Sequence, residues 1–322
     1  MNWKLKALIQ NSVAALPSDL SYWVYYQLQR RFGALAVADP VESLRRGAYL
    51  AALIHKQGKT IRAKSFLEIG TGRQLNLPIA FWLCGADRIY TVDINPYLTY
   101  ELVMEDIEYI RHHQDQIVEL FGICAHQSLF MDRLKKLMTW EGEGIESLLA
   151  LINTTYIVQR DTSSLRLSPN SIDYHVSCCV CEHVPPAILK KIFIESKKIL
   201  KMGGLLIHLV DFSDHFSHSD NSISAINFLK YSEHAWNFLA GNKFMYQNRL
   251  RIDDFKKILI GAGLVILDQI PRVDDVALKS LKCGFRIDPC FSGKPVLVNA
   301  TVSAWVLAKV SDLFDPRALN DR

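Results

Sequence analysis

A chain of 322 residues is long enough for one large domain, or for a domain carrying substantial insertions. Half of the residues are apolar (49%) and 22% are charged, an ordinary balance for a soluble globular protein. No uncharged apolar run approaches the roughly 18 residues that cross a bilayer, and no basic stripe with interleaved aromatics marks a nucleic-acid surface.

The net charge of +4 is unevenly spread, with nine Lys/Arg against three Asp/Glu through Arg62. Lys4 and Lys6 precede a modest apolar stretch, but Gln10, Asn11 and Ser12 interrupt it, so no cleaved signal is expected. Seven cysteines without a framework spacing suit a reducing compartment, and a cytoplasmic location is expected. Residues 1–62 read as an N-terminal helical extension. Within it, S-Y-W-V-Y-Y-Q-L-Q-R-R-F-G is aromatic and ends in Arg30 and Arg31. Such a segment suits peripheral contact with a membrane surface or an acidic partner. The favoured reading is a helix packed across the domain or its cleft.

From Ser65 to Asn95 an apolar run (Phe66, Leu67, Ile69) stops at Gly70 and Gly72, and a nearly all-apolar segment follows. A β-rich run then closes on Asp93. This order is strand, glycine turn, helix, strand and acidic residue, the opening unit of a nucleotide-binding α/β sheet. Glycines let the backbone turn sharply and approach a ligand more closely than a Cβ permits. A dinucleotide G-x-G-x-x-G fails because Leu75 takes its third glycine position. The pattern E-x-G-x-G, from Glu68 to Gly72, resembles motif I of class I S-adenosylmethionine-dependent methyltransferases, with V-D-I-N as the acidic motif. Gln74 replaces a third glycine often found there.

The run from Tyr97 to Ala150 is longer than a usual connection and contains an amphipathic helical pattern (Leu102, Ile107, Ile110, Ile117, Leu120, Phe121). It suits a substrate lid or an elaborated helical layer, with His112 and His113 at the surface. A short β-rich run then ends at Asp161. The segment from Asp173 to Val184 resembles the family's fourth-strand motif: an acidic residue entering the strand, a strand over about Tyr174–Cys179, and E-H-V after it. Cys178, Cys179 and Cys181 beside His183 are read as strand cysteines, not as a metal set, because neighbours on a strand face opposite ways.

Pro185 and Pro186 open an amphipathic helix that Gly203–Gly204 is expected to stop, before the strand L-L-I-H-L-V-D. Residues 212–251 form a second insertion rich in histidine and aromatics, read as a substrate cap. A capped helix, a strand, a loop and a final strand V-L-V-N-A-T-V-S-A-W-V-L-A-K-V complete the chain.

The resemblance spans about Ala63 to Val310 and implies a Rossmann-like α/β fold. Its sheet would have seven mostly parallel strands, an antiparallel last strand and helices on both faces. The implied organisation is a helical extension over 1–62, a catalytic domain over 63–310 with insertions at about 97–150 and 212–251, and a tail over 311–322. It implies S-adenosyl-L-methionine as cofactor, with Glu68, Gly70, Thr71 and Gly72 around the methionine part. Asp93 would hold the ribose with Ile94 and Asn95 beside it, Asp161 and Thr162 the adenine, and Ser177 and Cys178 the centre. His183 is the expected base, with Asp211 and His215 as weaker candidates; no metal is expected. The acceptor would be a small molecule, a sugar or a lipid-linked compound. The alternatives are a catalytically silent binding or scaffold protein of the same fold and, third, a nicotinamide-dependent oxidoreductase. The sequence leaves the oligomeric state open.

Overall fold

The computed structural model describes residues 1–158, 165 and 167–311. Seven strands form one sheet: β1 (Ser65–Ile69), β2 (Arg88–Asp93), β3 (Thr154–Val158), β4 (Ile172–Cys178), β5 (Leu200–Asp211), β6 (Leu264–Val273) and β7 (Thr301–Val310). Their spatial order is β3-β2-β1-β4-β5-β7-β6, with β7 antiparallel and helices on both sides. This is the expected methyltransferase-type Rossmann-like sheet. In chain order the helices are α1 (Trp3–Ala14), α2 (Ser18–Phe32), α3 (Val41–Lys56), α4 (Asn76–Leu83), α5 (Tyr100–His112), α6 (Gln114–Phe121) and α7 (Ser128–Met138). They continue with α8 (Ile145–Leu151), α9 (Pro186–Ile199), α10 (Glu233–Ala240), α11 (Ile252–Gly261), α12 (Asp275–Lys282), α13 (Pro289–Ser292) and α14 (Val296–Ala300).

The chain divides into two compact units. The larger share of the first half, Ala38–Cys178 with Ile192–Ile207, forms one of them. In it β1 pairs in parallel with β2 and β4, and β2 with β3. β1 is buried on both faces, as central parallel strands are. α4 is apolar all round and almost wholly buried, and Phe81 on it stacks on Phe66 of β1 at 4.6 Å. Gly47 of α3 lets that helix approach α4 closely, since a Cβ there would lie 2.4 Å from the Ala80 Cβ. The 97–150 stretch is helical, and the expected single amphipathic helix is two, α5 and α6, parted at His113. Leu102, Ile107, Ile110, Ile117 and Phe121 are buried, with α6 against α3 and α7 against α4. His112 and His113 are exposed, as expected.

The other unit comprises Met1–Val37, Cys179–Lys191 and His208–Ala308. Its core gathers Trp3 and Ala7 of α1 around Phe216, Phe228 and Trp236 from the 212–251 insertion. Trp3 stacks on Trp236 at 6.1 Å and its backbone N–H donates to Asp220 Oδ2 at 2.7 Å. On α2, Tyr25 stacks on Phe244 at 4.0 Å, while Trp23 and Phe32 stay exposed. Arg251 is fully buried, its guanidinium donating to the carbonyls of Phe212 (2.6 Å), Asn299 (3.0 Å) and Thr301. Together with the Val298 carbonyl at 3.4 Å, they offset part of the cost of burying this cation.

Three element boundaries differ from expectation. Gly203–Gly204 lies inside β5, which begins at Leu200 directly after α9; a Cβ on Gly204 would meet the Asp173 carbonyl at 2.9 Å. Gly204 therefore serves close strand approach and Gly203 a φ of +73°, and neither terminates a helix. Val296–Ala300 is α14, so the last strand starts only at Thr301. Pro295 at its N-cap starts a turn where β-branched composition suggested strand. β4 runs from Ile172 and stops at Cys178, because Cys179 takes a φ of +56° and bends the chain away.

Candidate functional site

The glycine turn begins where β1 ends. Gly70 and Gly72 have φ of +89° and +66°, a region that favours glycine. The Gly70 and Thr71 N–H groups both donate to the Val92 carbonyl, at 2.7 and 3.2 Å, stitching the turn to β2. Gly72 N–H donates to Asp93 Oδ2 at 2.8 Å, and Asn95 N–H to Asp93 Oδ1 at 3.1 Å. The carboxylate is therefore oriented by backbone on both sides, and each oxygen has a further lone pair. A Cβ on Gly72 would meet nothing within 4 Å, so the turn borders open space. Burial raises the Asp93 pKa, while the surrounding backbone amides and Arg73 pull it down. Ile94 beside it is 52% exposed. The loop closes where Tyr156 donates to the Asn95 carbonyl (3.3 Å) and Arg73 lies over the Tyr97 ring (4.9 Å).

Glu68 is buried within the sheet. Thr91 Oγ1 donates to its Oε2 at 2.5 Å, and Thr71 Oγ1 lies 2.6 Å from Thr91 Oγ1. Burial pushes the Glu68 pKa up to about 8, with the Thr91 hydrogen bond opposing, so the acid is protonated at neutral pH. The relay Thr71–Thr91–Glu68 was not anticipated; a threonine at mid-β2 was its one sequence signal. Asp106 of α5, within electrostatic reach of Gln74 in the third glycine position, is buried. Burial pushes that carboxyl up to about 7, and the Asn76 and Gln74 amides oppose the shift. Asn76 Nδ2 donates to Asp106 Oδ2 at 2.9 Å.

The register setting Glu68 opposite Val176 leaves the C-terminal ends of β1 and β4 side by side. Ser177 is fully buried there and Cys178 half-buried. Asp161 and Thr162 lie outside the described residues.

In the other unit, Cys181–His183 forms a 3-10 turn after β4. Three consecutive residues of the 212–251 insertion hold this turn and the 213–215 stretch. The Tyr246 carbonyl accepts from His183 Nδ1 at 2.8 Å. Gln247 Nε2 donates to the Ser213 carbonyl at 3.0 Å, and its Oε1 accepts from His215 N–H at 3.4 Å. Asn248 donates through N–H to the Glu182 carbonyl and through Nδ2 to those of Cys181 and Val184, each at 2.8 Å. The turn thereby brings Glu182, His183 and His215 together, with ligand-type atoms all within 4.8 Å of one another. The His183 and His215 rings meet edge to face at 4.9 Å.

Since a carbonyl only accepts, His183 Nδ1 carries the proton and Nε2 the lone pair. Crowding by protein and the adjacent His215 lower its pKa, and exposure of the ring to solvent tempers that shift; the imidazole is neutral at pH 7. Asp211 Oδ2 lies 3.4 Å from His215 Nε2, and Asp211 Oδ1 accepts from Ser213 N–H and Oγ at 2.8 and 2.6 Å. Burial would raise the Asp211 pKa, but His215 and Ser213 outweigh it and hold it near 2. Among the described residues no cysteine joins this group, and Cys181 Sγ lies 4.0 Å from His208 Nδ1. Asp211 and His215 were weak candidates from sequence. Tyr246, Gln247 and Asn248 were missed, and a polar run closing an aromatic insertion was their only signal.

No family model matches the sequence, and no curated protein matches it. Solved structures resemble the fold. An S-adenosylmethionine-dependent methyltransferase from Clostridium acetobutylicum is 12% identical, with 90% of this chain and 99% of that one covered and a TM-score of 0.45. One from Methanosarcina mazei is 14% identical over 80% and 96%, with a TM-score of 0.42. The geranyl diphosphate C-methyltransferase of Streptomyces coelicolor, solved with Mg2+, geranyl diphosphate and S-adenosyl-L-homocysteine, is 9% identical over 82% and 79%, at 0.45. At these values the likeness concerns the fold, which the strand order already establishes.

Proposed function

We propose that the protein is an S-adenosylmethionine-dependent methyltransferase acting on a small-molecule, sugar or lipid-linked acceptor. The observation that carries this reading is the Asp93 carboxylate, held by Gly72 and Asn95 N–H at the tip of β2 beside a glycine turn that borders open space. Its remaining lone pairs fit the two hydroxyls of a ribose, and the absent side chain at Gly72 leaves room for the rest of a nucleoside. Bound S-adenosylmethionine would supply a methyl group on a sulfonium, already a good leaving group. The chain then has mainly to hold its ligands in line.

Glu68, protonated and tied to Thr91 and Thr71, braces the turn from within the sheet. His183 offers an unprotonated Nε2 able to take a proton, but its lowered pKa makes it a weak base. The proposal therefore stands on the glycine turn and Asp93 without needing that role.

Binding of labelled S-adenosylmethionine tests the cofactor, and release of S-adenosylhomocysteine in a cell extract tests turnover. A filled pocket that never releases S-adenosylhomocysteine would favour the silent alternative. Mass spectrometry of an extract incubated with a deuterated methyl donor identifies the acceptor.

A further inference from the structure

We propose that Glu182, His183 and His215 form a binding site for a divalent cation of the zinc class, with one carboxylate and two imidazoles as ligands. A ligand atom of each lies within 4.8 Å of the other two. Zinc–nitrogen and zinc–oxygen bonds of about 2.0–2.2 Å put tetrahedral ligands about 3.3 Å apart. The three groups thus need to close by at most about 1.5 Å.

The surrounding residues prepare the donors. His183 Nδ1 is committed to the Tyr246 carbonyl, which turns Nε2 into the ligand atom. Asn248 clasps the turn from Cys181 to Val184 with three hydrogen bonds, to the carbonyls of Cys181, Glu182 and Val184. Asp211 Oδ2, 3.4 Å from His215 Nε2, is near enough for a small rotation of that ring to make the carboxylate–imidazole hydrogen bond that orients metal-bound histidines. His183 is exposed, giving a cation a way in, while Glu182 is buried. A mixed nitrogen and oxygen set favours Zn2+, Mn2+ or Fe2+ over Ca2+, which prefers six or more oxygens. Three protein donors leave at least one position for the oxygen of water or of an acceptor. This site goes beyond the proposed methyl transfer and is measurable without any methyl donor, so each proposal can fail alone.

Tag-free protein stripped with EDTA is titrated with Zn2+ and with Co2+, and its metal content is measured. The expected result is one equivalent per chain, with cobalt ligand-field bands and no sulfur-to-cobalt charge-transfer band. His183→Ala and His215→Ala should weaken binding more than about 100-fold, beyond the loss of an outer partner, and Asn248→Ala about 10- to 100-fold. His112→Ala and Cys290→Ser should bind as the parent does. Absence of binding by the parent, a sulfur charge-transfer band, or parental affinity in a folded His183→Ala would each overturn the proposal. Should that variant fail to fold, the parent's cobalt spectrum still decides between nitrogen–oxygen ligation and none.

Discussion

His183 Nδ1 donates to the backbone carbonyl of Tyr246 at 2.8 Å, across 63 residues of chain. The contact decides which ring nitrogen keeps its lone pair. The next two residues, Gln247 and Asn248, extend the same clasp to the 213–215 turn and to the carbonyls of residues 181, 182 and 184. One three-residue segment therefore orients a histidine that sequence reading had singled out without knowing its tautomer.

Asp93→Ala is expected to abolish high-affinity binding of S-adenosylmethionine. The substitution removes the proposed hydroxyl contacts and the acceptor of the Gly72 and Asn95 N–H groups. Hydrogen bonds to a charged group contribute about 1.5–3 kcal/mol each, so two such losses amount to a factor of about 100 or more. Calorimetry reads the affinity directly; a near-normal value would show that Asp93 is not the ribose ligand.

Glu68 gives stability a pH dependence of defined sign. Its folded pKa of about 8 lies above the unfolded value of 4.5, so between those limits the folded state holds a proton that unfolding releases. Stability should fall as pH rises through that window, by up to about 1.4 kcal/mol per pH unit from this group. Glu68→Gln keeps an amide in place of the protonated acid and should flatten the slope. Urea denaturation of the cofactor-free protein at pH 5.5 and 7.5, values inside this window of roughly 4.5 to 8, compares the two. Equal slopes in parent and variant would mean that Glu68 is ionised when folded.

Gly47→Ala should destabilise the protein by about 1–3 kcal/mol, the range for forcing extra volume into a packed contact. The added Cβ would sit 2.4 Å from that of Ala80, so α3 and α4 must part. A thermal melt of the variant that matches the parent would mean that the helices separate at no cost.

The basic, aromatic α2 segment predicts weak affinity for anionic membranes. Trp23 and Phe32 are 59% and 83% exposed, with Arg30 and Arg31 in the same last turns as Phe32. Anchoring of this kind combines buried apolar area with charge. Sedimentation with phosphatidylserine-rich vesicles should exceed that with neutral ones and drop in a Trp23→Ala, Phe32→Ala double variant. If neither vesicle carries the protein down, the segment's role is the packing of Tyr22 and Tyr25 on Phe244 alone.

Ser65 to Asn95 could be read directly from sequence because its determinants are local. Apolar runs of strand length, glycines at the turn and an acid at the next strand's end all act within some thirty residues, and the parallel order of β1 and β2 follows from them. Boundaries governed by distant contacts were less legible. Gly203–Gly204 looked like a helix stop, but the backbone at Asp173 comes close enough to require glycine inside β5. Val298 and its neighbours have strand composition, and the turn after Pro295 makes them helical.

Sequence by itself determined the first strand–turn–helix–strand unit and the glycine turn with Asp93, because periodicity and turn chemistry are short-range, while the family resemblance implied the sheet type and the E-H-V segment after its fourth strand. The tertiary structure alone decided what surrounds those residues. It paired Asn76 with Asp106, buried Glu68 behind Thr91, and joined Glu182 and His183 to His215 through Tyr246, Gln247 and Asn248. Each of these depends on groups far apart in the chain meeting at hydrogen-bonding distance. No residue pattern encodes that distance locally, so only the packed fold could supply it.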